Sequence, residues 1–184
     1  MKTKPFQYIH WEFEEDDTKI TLSSQIFNNV DDVIEKLDKN VVIALGLNPS
    51  NTTRFNDDET NLYLRSKFKD KWDYCEGYIL TNLLPMIQPD SNKITKNDID
   101  DDHVDQLIQL IEKATDNILI LFFGQNGVSL INSKNDKMSK LKKSLSARIP
   151  KNTYYTADDT KFSHPSRCKK TFILKEFDRE ILNK

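Results

Sequence analysis

Polar residues able to take part in chemistry stand at the ends of four apolar or aromatic runs in this chain of 184 residues. Gly46-Leu47-Asn48-Pro49-Ser50 ends the run that starts at Val41, and Asn82-Leu83-Leu84-Pro85 ends the one that starts at Gly77. Gly124-Gln125-Asn126-Gly127 follows Asn117 to Phe123, and Ser163-His164-Pro165-Ser166 follows a short run at Thr153 to Thr156. Several chemistries are excluded at once. A Ser-His-Asp hydrolase built from Ser166, His164 and Asp158 or Asp159 lacks the G-x-S-x-G elbow. There is no P-loop and no dinucleotide-binding G-x-G-x-x-G. Cys75 and Cys168 lie far apart without metal-ligand spacing and read as reduced thiols, and neither a metal nor another cofactor is expected. Ligands of open parallel α/β sheets bind outside the carboxyl ends of the strands, so the four segments are expected to meet there and form one site. His164 should then lie within about 15 Å of Asn48, the span of a small-ligand pocket. Each residue also has a plainer reading: Asn48-Pro49 and His164-Pro165 as turns, Asn82 as a cap, Phe122 and Phe123 as core. His10 and His103 attract no assignment.

The elements that must position these residues follow from periodicity. Phe6 to Phe13 and Lys19 to Ser24 alternate around an acidic turn and predict a β-hairpin, an N-terminal appendage over residues 1–30. Val30, Val33, Ile34 and Leu37 predict a short helix capped by Asp31 or Asp32. Val41 to Leu47 is the continuous apolar run of a strand buried on both faces. Asp58-Glu59-Thr60 starts a helix striped by Leu64, Phe68 and Trp72, and Gly77 to Leu83 is a second strand. Asp100 to Asp102 place negative charge at the start of a helix carrying Val104, Leu107, Ile108 and Ile111, where its dipole favours it. Asn117 to Phe123 is a third strand, Lys137 to Arg148 a basic helix, and Thr153 to Thr156 a fourth strand. Ile173, Phe177 and Ile181 define a closing helix. This alternation predicts an α/β fold: a three-layer α/β/α sandwich with a mainly parallel four-stranded sheet plus the hairpin, in a single domain over 1–184.

Leu45-Gly46-Leu47-Asn48-Pro49-Ser50, Leu80-Thr81-Asn82-Leu83, Phe122-Phe123-Gly124 and His164-Pro165-Ser166, in this order, resemble the motifs of the uracil-DNA glycosylase superfamily. They are most similar to a bacterial and phage family, domain of unknown function 1643, itself similar to that superfamily. Its pattern reads LNPS, Asp-x-Thr (Asp58-Glu59-Thr60), NL-x-P (Asn82 to Pro85), then G and HP. The resemblance spans residues 41–167. It implies that Asn48 positions the water attacking C1′ and that Asn82, with Leu47, Phe123 and Gly124, contacts a flipped base. It also implies that His164 donates to the departing base oxygen, and that Ser50, Pro165, Ser166, Arg167 and Lys169 contact phosphate. Such donors lower the barrier because cleavage builds negative charge on the base and positive charge on the sugar.

Other features depart from that pattern. Asn48 is an amide, which orients a water but cannot remove its proton. No aromatic follows Ser50 at Asn51-Thr52-Thr53. Arg167-Cys168-Lys169-Lys170 offers no apolar wedge to fill a duplex, and Met86-Ile87-Gln88-Pro89 lacks the Arg expected of the nearest family. The expected function is therefore a glycosylase-like pseudo-enzyme, or a module binding a nucleobase, a nucleic acid or a protein partner. The alternative is an active N-glycosylase on an unidentified modified base in DNA or a nucleotide. In a live enzyme Asn48→Asp should raise turnover.

Composition and charge bear on the partner. Residues 1–132 carry 13 Lys and Arg against 23 Asp and Glu, whereas residues 133–184 carry 14 against 6, within a net charge of -2. A basic last third suits an anionic partner, single- or double-stranded nucleic acid first among candidates, through Lys140, Lys142, Lys143, Arg167, Lys169 and Lys170. The plainer reading is a solvated helix face. No apolar run approaches the roughly 20 residues of a membrane span and no export signal opens the chain, so a cytoplasmic protein with no membrane partner is expected.

Overall fold

The computed structural model describes residues 8–16, 19–27, 29–38, 40–49, 67–68, 71–72, 75–86, 88, 90–148, 152–158, 161–162 and 173–183, with the backbone alone for 8–24, 158 and 161. Strands β1 (Tyr8–Asp16), β2 (Lys19–Phe27), β3 (Val41–Gly46), β4 (Gly77–Asn82), β5 (Leu119–Leu121), β6 (Thr153–Asp158), β7 (Lys161–Phe162) and β8 (Ile173–Glu176) form one sheet. Its order is β2-β1-β4-β3-β5-β6-β7, with β8 also paired to β6. The parallel pairs are β4·β3, β3·β5 and β5·β6. These four strands are the expected mainly parallel set, but the sheet does not stop at four. The hairpin joins it through β1, antiparallel to β4, and so continues the sheet rather than standing apart as an appendage.

The apolar runs are continuous because both faces are covered. Val41, Ile43, Leu45, Ile79, Leu119 and Leu121 face helices α1 (Val30–Ile34), α2 (Asp101–Lys113), α3 (Gly124–Ile131) and α4 (Asp136–Ala147). Val42, Ala44, Tyr78, Ile120 and Phe122 face Phe68 and Trp72 on the other side. Each such side chain taken from water contributes roughly 1.5–3 kcal/mol, far more than strand propensity supplies. The crossover from β3 to β4 thus runs past Phe68 and Trp72, and the one from β4 to β5 runs through α2 on the opposite face. A chain that leaves its first parallel strand to one side and returns to the other opens a crevice between them, here between the carboxyl ends of β3 and β5.

Local chemistry accounts for the helix ends, with some departures from expectation. The cap of α1 is Asn29, whose Oδ1 accepts from Asp32 N at 2.9 Å, not Asp31 or Asp32. In α2 the Asp100 carboxylate accepts from His103 N at 2.9 Å, as its acidic start implied. Sequence periodicity missed α3 because Gly124 and Gly127 are poor helix formers. Packing overrides them: a Cβ on Gly127 would meet the Phe123 ring at 2.4 Å, so only glycine lets that ring lie against the helix. The expected closing helix is absent among the described residues. Ile173 to Glu176 instead form β8, antiparallel to β6, and a 3-10 turn over Arg179–Asn183 buries Ile181 and Leu182. Residues four apart satisfied a helical pattern, but pairing with β6 meets the backbone groups of the first of them. The expected helix start at Asp58-Glu59-Thr60, its Leu64, and the loop at 163–172 lie outside the described residues.

Arg148 shows how the last third departs from a purely solvated basic surface. It is only 5% exposed and closes the carboxyl end of α2. Its Nη1 donates to the carbonyls of Ala114 and, at 3.4 Å, Ile111, and its Nη2 donates to Asn117 at 2.5 Å. A guanidinium there meets the Ile111 carbonyl of the last helical turn, the Ala114 carbonyl that Asn117 N also bonds, the Asn117 carbonyl beyond it and the negative end of the helix dipole. Burial lowers its pKa, opposed by Asp116. On α4, Lys137 bonds Asp105 of α2 and Lys142 donates to Asn132 Oδ1 at 2.7 Å. The Asp105 bond raises the Lys137 pKa.

Candidate functional site at the carboxyl edge

The parallel register sets the site. Gly46 of β3 pairs with Asn82 of β4, and Leu45 pairs with Leu121 of β5, so Gly46, Asn82 and Phe122 share one level at the carboxyl edge. Two hydrogen bonds carry the β3·β4 ladder past the strand ends, Leu83 N to Gly46 O and Leu84 N to Leu47 O, both at 2.9 Å. On the face toward Phe68, the Asn82 amide and the Phe122 ring close over Gly46. A Cβ there would lie 2.5 Å from Asn82 Oδ1 and 2.6 Å from Phe122 Cζ, so glycine is required by close approach. Asn82 is half-buried, and among the described residues none hydrogen-bonds its side-chain amide.

Two residues beyond Gly46, the Asn48 amide donates from Nδ2 to Gln88 O at 2.9 Å and to Pro49 O at 3.2 Å. That bond ties the loop after β3 to the loop after β4. The same amide leaves Oδ1 as an acceptor, and no described residue donates to it. Asn126, in the first turn of α3, donates to Ser91 O at 3.3 Å and ties the third segment to the same loop. Gly124 opens that helix with φ 63°, a left-handed conformation suited to glycine, and the helix carries no side-chain cap. Asn48, Asn82 and Gly124 therefore stand at the ends of three adjacent strands.

Leu47 and Phe123 are placed differently. Both are buried on the face toward α1 to α4, and the Phe123 ring lies 4.9 Å from that of Phe162. Phe122, not Phe123, is the aromatic residue beside Asn82, and it too is buried, at 3% exposure. Ser50, His164, Pro165, Ser166, Arg167 and Lys169 lie outside the described residues. Among the described residues no three His, Cys, Asp or Glu side chains gather to hold a metal, and no helix is long and apolar enough to cross a membrane.

One residue that drew no assignment from the sequence belongs to this edge. His103, 4% exposed, sits on the apolar face of α2 with its Nε2 2.6 Å from Asn82 O. A carbonyl only accepts, so Nε2 carries the proton. Burial lowers the His103 pKa to about 4, against opposing contributions from the Asn82 bond and the Asp100 charge. The signal available in the sequence was its four-residue step to Leu107, which marked a core position and not a strand-end partner.

These elements define a mixed α/β protein with a parallel sheet core and a polar carboxyl edge at its crevice. The chain belongs to the family described as Protein of unknown function (DUF1643), whose model matches residues 32–166. No curated protein and no solved structure matches it.

Proposed function

We propose that this chain is a uracil-DNA glycosylase-like binding module: it holds a nucleobase, free, in a nucleotide or in a nucleic acid, at the carboxyl edge without efficient excision. The observation that carries the reading is the Asn82 amide over Gly46 beside Phe122, with none of the described residues bonded to it. An amide offers a donor and an acceptor side by side, the pattern that the hydrogen-bonding edge of a base complements. The order of the four motifs adds to this, and so does the crevice position where α/β sheets take ligands. Lack of excision follows from Asn48, which supplies no charge to balance an oxocarbenium-like sugar.

A second reading, an active N-glycosylase on a modified base, is favoured by one observation. With Nδ2 held on Gln88 O, Asn48 Oδ1 is oriented to accept a hydrogen from a water. One experiment separates the two: titration with nucleosides, nucleotides and single- and double-stranded oligonucleotides bearing uracil and modified bases, alongside an assay for abasic sites. The binding reading expects saturable binding weakened about tenfold or more, about 1.4 kcal/mol, by Asn82→Ala, with no abasic product. Product formation lost on His164→Ala establishes the glycosylase. No binding of any base-bearing ligand at millimolar concentration ends both readings.

A further inference from the structure

Among the described residues, no strand of the sheet donates to the Asn82 carbonyl. Neighbouring residues of a strand point their N–H and C=O groups to opposite sides. Leu83 N donates to Gly46 O on the β3 side, so the Asn82 carbonyl faces away from β3, toward the side occupied by β1. Among the described residues the β1·β4 pairing ends at Ile9↔Leu80, two positions short. The acceptor for a strand partner at Asn82 is met instead from another layer, by His103 Nε2 at 2.6 Å.

His103 is itself held. Its backbone N–H donates to the Asp100 carboxylate at 2.9 Å, which fixes the first turn of α2, and its ring is buried among core residues of that helix. The residue is therefore anchored at two points, its backbone N–H on the helix start and its ring Nε2 on the strand end. Burial keeps the ring neutral at pH 7, which fixes a single proton on Nε2. A leucine of similar size would fill the same space but would give the Asn82 carbonyl no donor.

We infer that His103 is a positioning residue for Asn82, fixing the strand end from which the base-reading amide closes over Gly46. The inference rests on the nucleobase-binding reading for its consequence in affinity, but not for its effect on Asn82 itself. The Asn82–Leu83 peptide is thereby held from both sides, its N–H on Gly46 O and its C=O on His103 Nε2, and loss of the His103 donor leaves that carbonyl unpaired in a low-dielectric setting and loosens the strand end that carries the Asn82 side chain.

The test uses the full chain with His103→Leu, which removes the donor, and His103→Gln, whose amide nitrogen replaces it. Two quantities are measured: the side-chain amide NMR signals of Asn82 without ligand, identified by their loss in Asn82→Ala, and the affinity for uridine and a uracil-bearing single-stranded oligonucleotide. The expected result is that His103→Leu shifts or broadens the Asn82 signals and weakens binding about tenfold, while His103→Gln restores both. Should the leucine variant fail to fold, His103→Asn takes its place, its amide being one methylene too short to reach. Unchanged Asn82 signals in the donorless variant, or equal losses in the glutamine variant, overturn the inference. If the unaltered protein binds neither probe, the proposed function is in difficulty, and the ligand-free Asn82 signals still decide the role of His103.

Discussion

Acidification provides a direct test of the buried imidazole. His103 has an ordinary pKa of 6.5 when the chain is unfolded and about 4 in the fold, because burial disfavours its cation more than the Asn82 carbonyl and Asp100 favour it. The unfolded chain therefore binds more protons between these values, and stability must rise with pH across that window. Its contribution is fully present above 6.5 and is lost as pH falls through about 4. The lowering from 6.5 to about 4 corresponds to about 3 kcal/mol, of which about 2 kcal/mol should already be lost at pH 5. Carboxylates add their own dependence, so the measurement is a difference. Urea unfolding of the unaltered protein and of His103→Gln, which cannot titrate, should give curves whose separation changes by about 2 kcal/mol between pH 7 and pH 5. In parallel, NMR titration should find one imidazole that stays neutral down to the range of pH 4 to 5. Parallel unfolding curves over that range, or three histidines all titrating near 6.5, would refute the argument from burial.

Gly46→Ala should cost about 1–3 kcal/mol in denaturant unfolding, because the new methyl displaces both the Asn82 amide and the Phe122 ring, and it should reduce nucleoside binding with it. Arg148→Met should lower stability by about 3 kcal/mol, since the carbonyls of Ile111 and Asn117 lose the Arg148 donor and Ala114 O keeps only Asn117 N; a urea midpoint shift worth less than about 0.5 kcal/mol would contradict this. Asn48→Asp, which on sequence grounds should supply missing charge to a live enzyme, would set a carboxylate against the carbonyls of Pro49 and Gln88. The expected result is a loss of about 1–3 kcal/mol, read by unfolding, with no gain of abasic product.

Local pattern determined much of this protein. The runs at Val41 and Gly77 announced strands buried on two faces, because only such strands can be apolar at every position. The stripe of Val104, Leu107 and Ile111 behind Asp100 announced α2, since spacing and capping act within a few residues of each other. Asn48 and Asn82 were legible as polar ends to those runs. What the sequence did not reveal depends on which distant segments become neighbours. Strand order put Gly46 level with Asn82 and Phe122, and so made a glycine in an apolar run a contact point. His103 drew no assignment and Arg148 read as the end of a basic helix, yet each donates to backbone carbonyls whose location is set by where β4 and α2 end. The four-residue spacing of Ile173, Phe177 and Ile181 suited a helix, but the edge of β6 offered a partner and made the first of them a strand. Periodicity reports which side of an element is buried. The partner of a buried polar group is fixed only by packing, because a hydrogen bond needs its two atoms within about 3 Å, and residues far apart in the chain meet at that range only once the sheet and its helices have assembled.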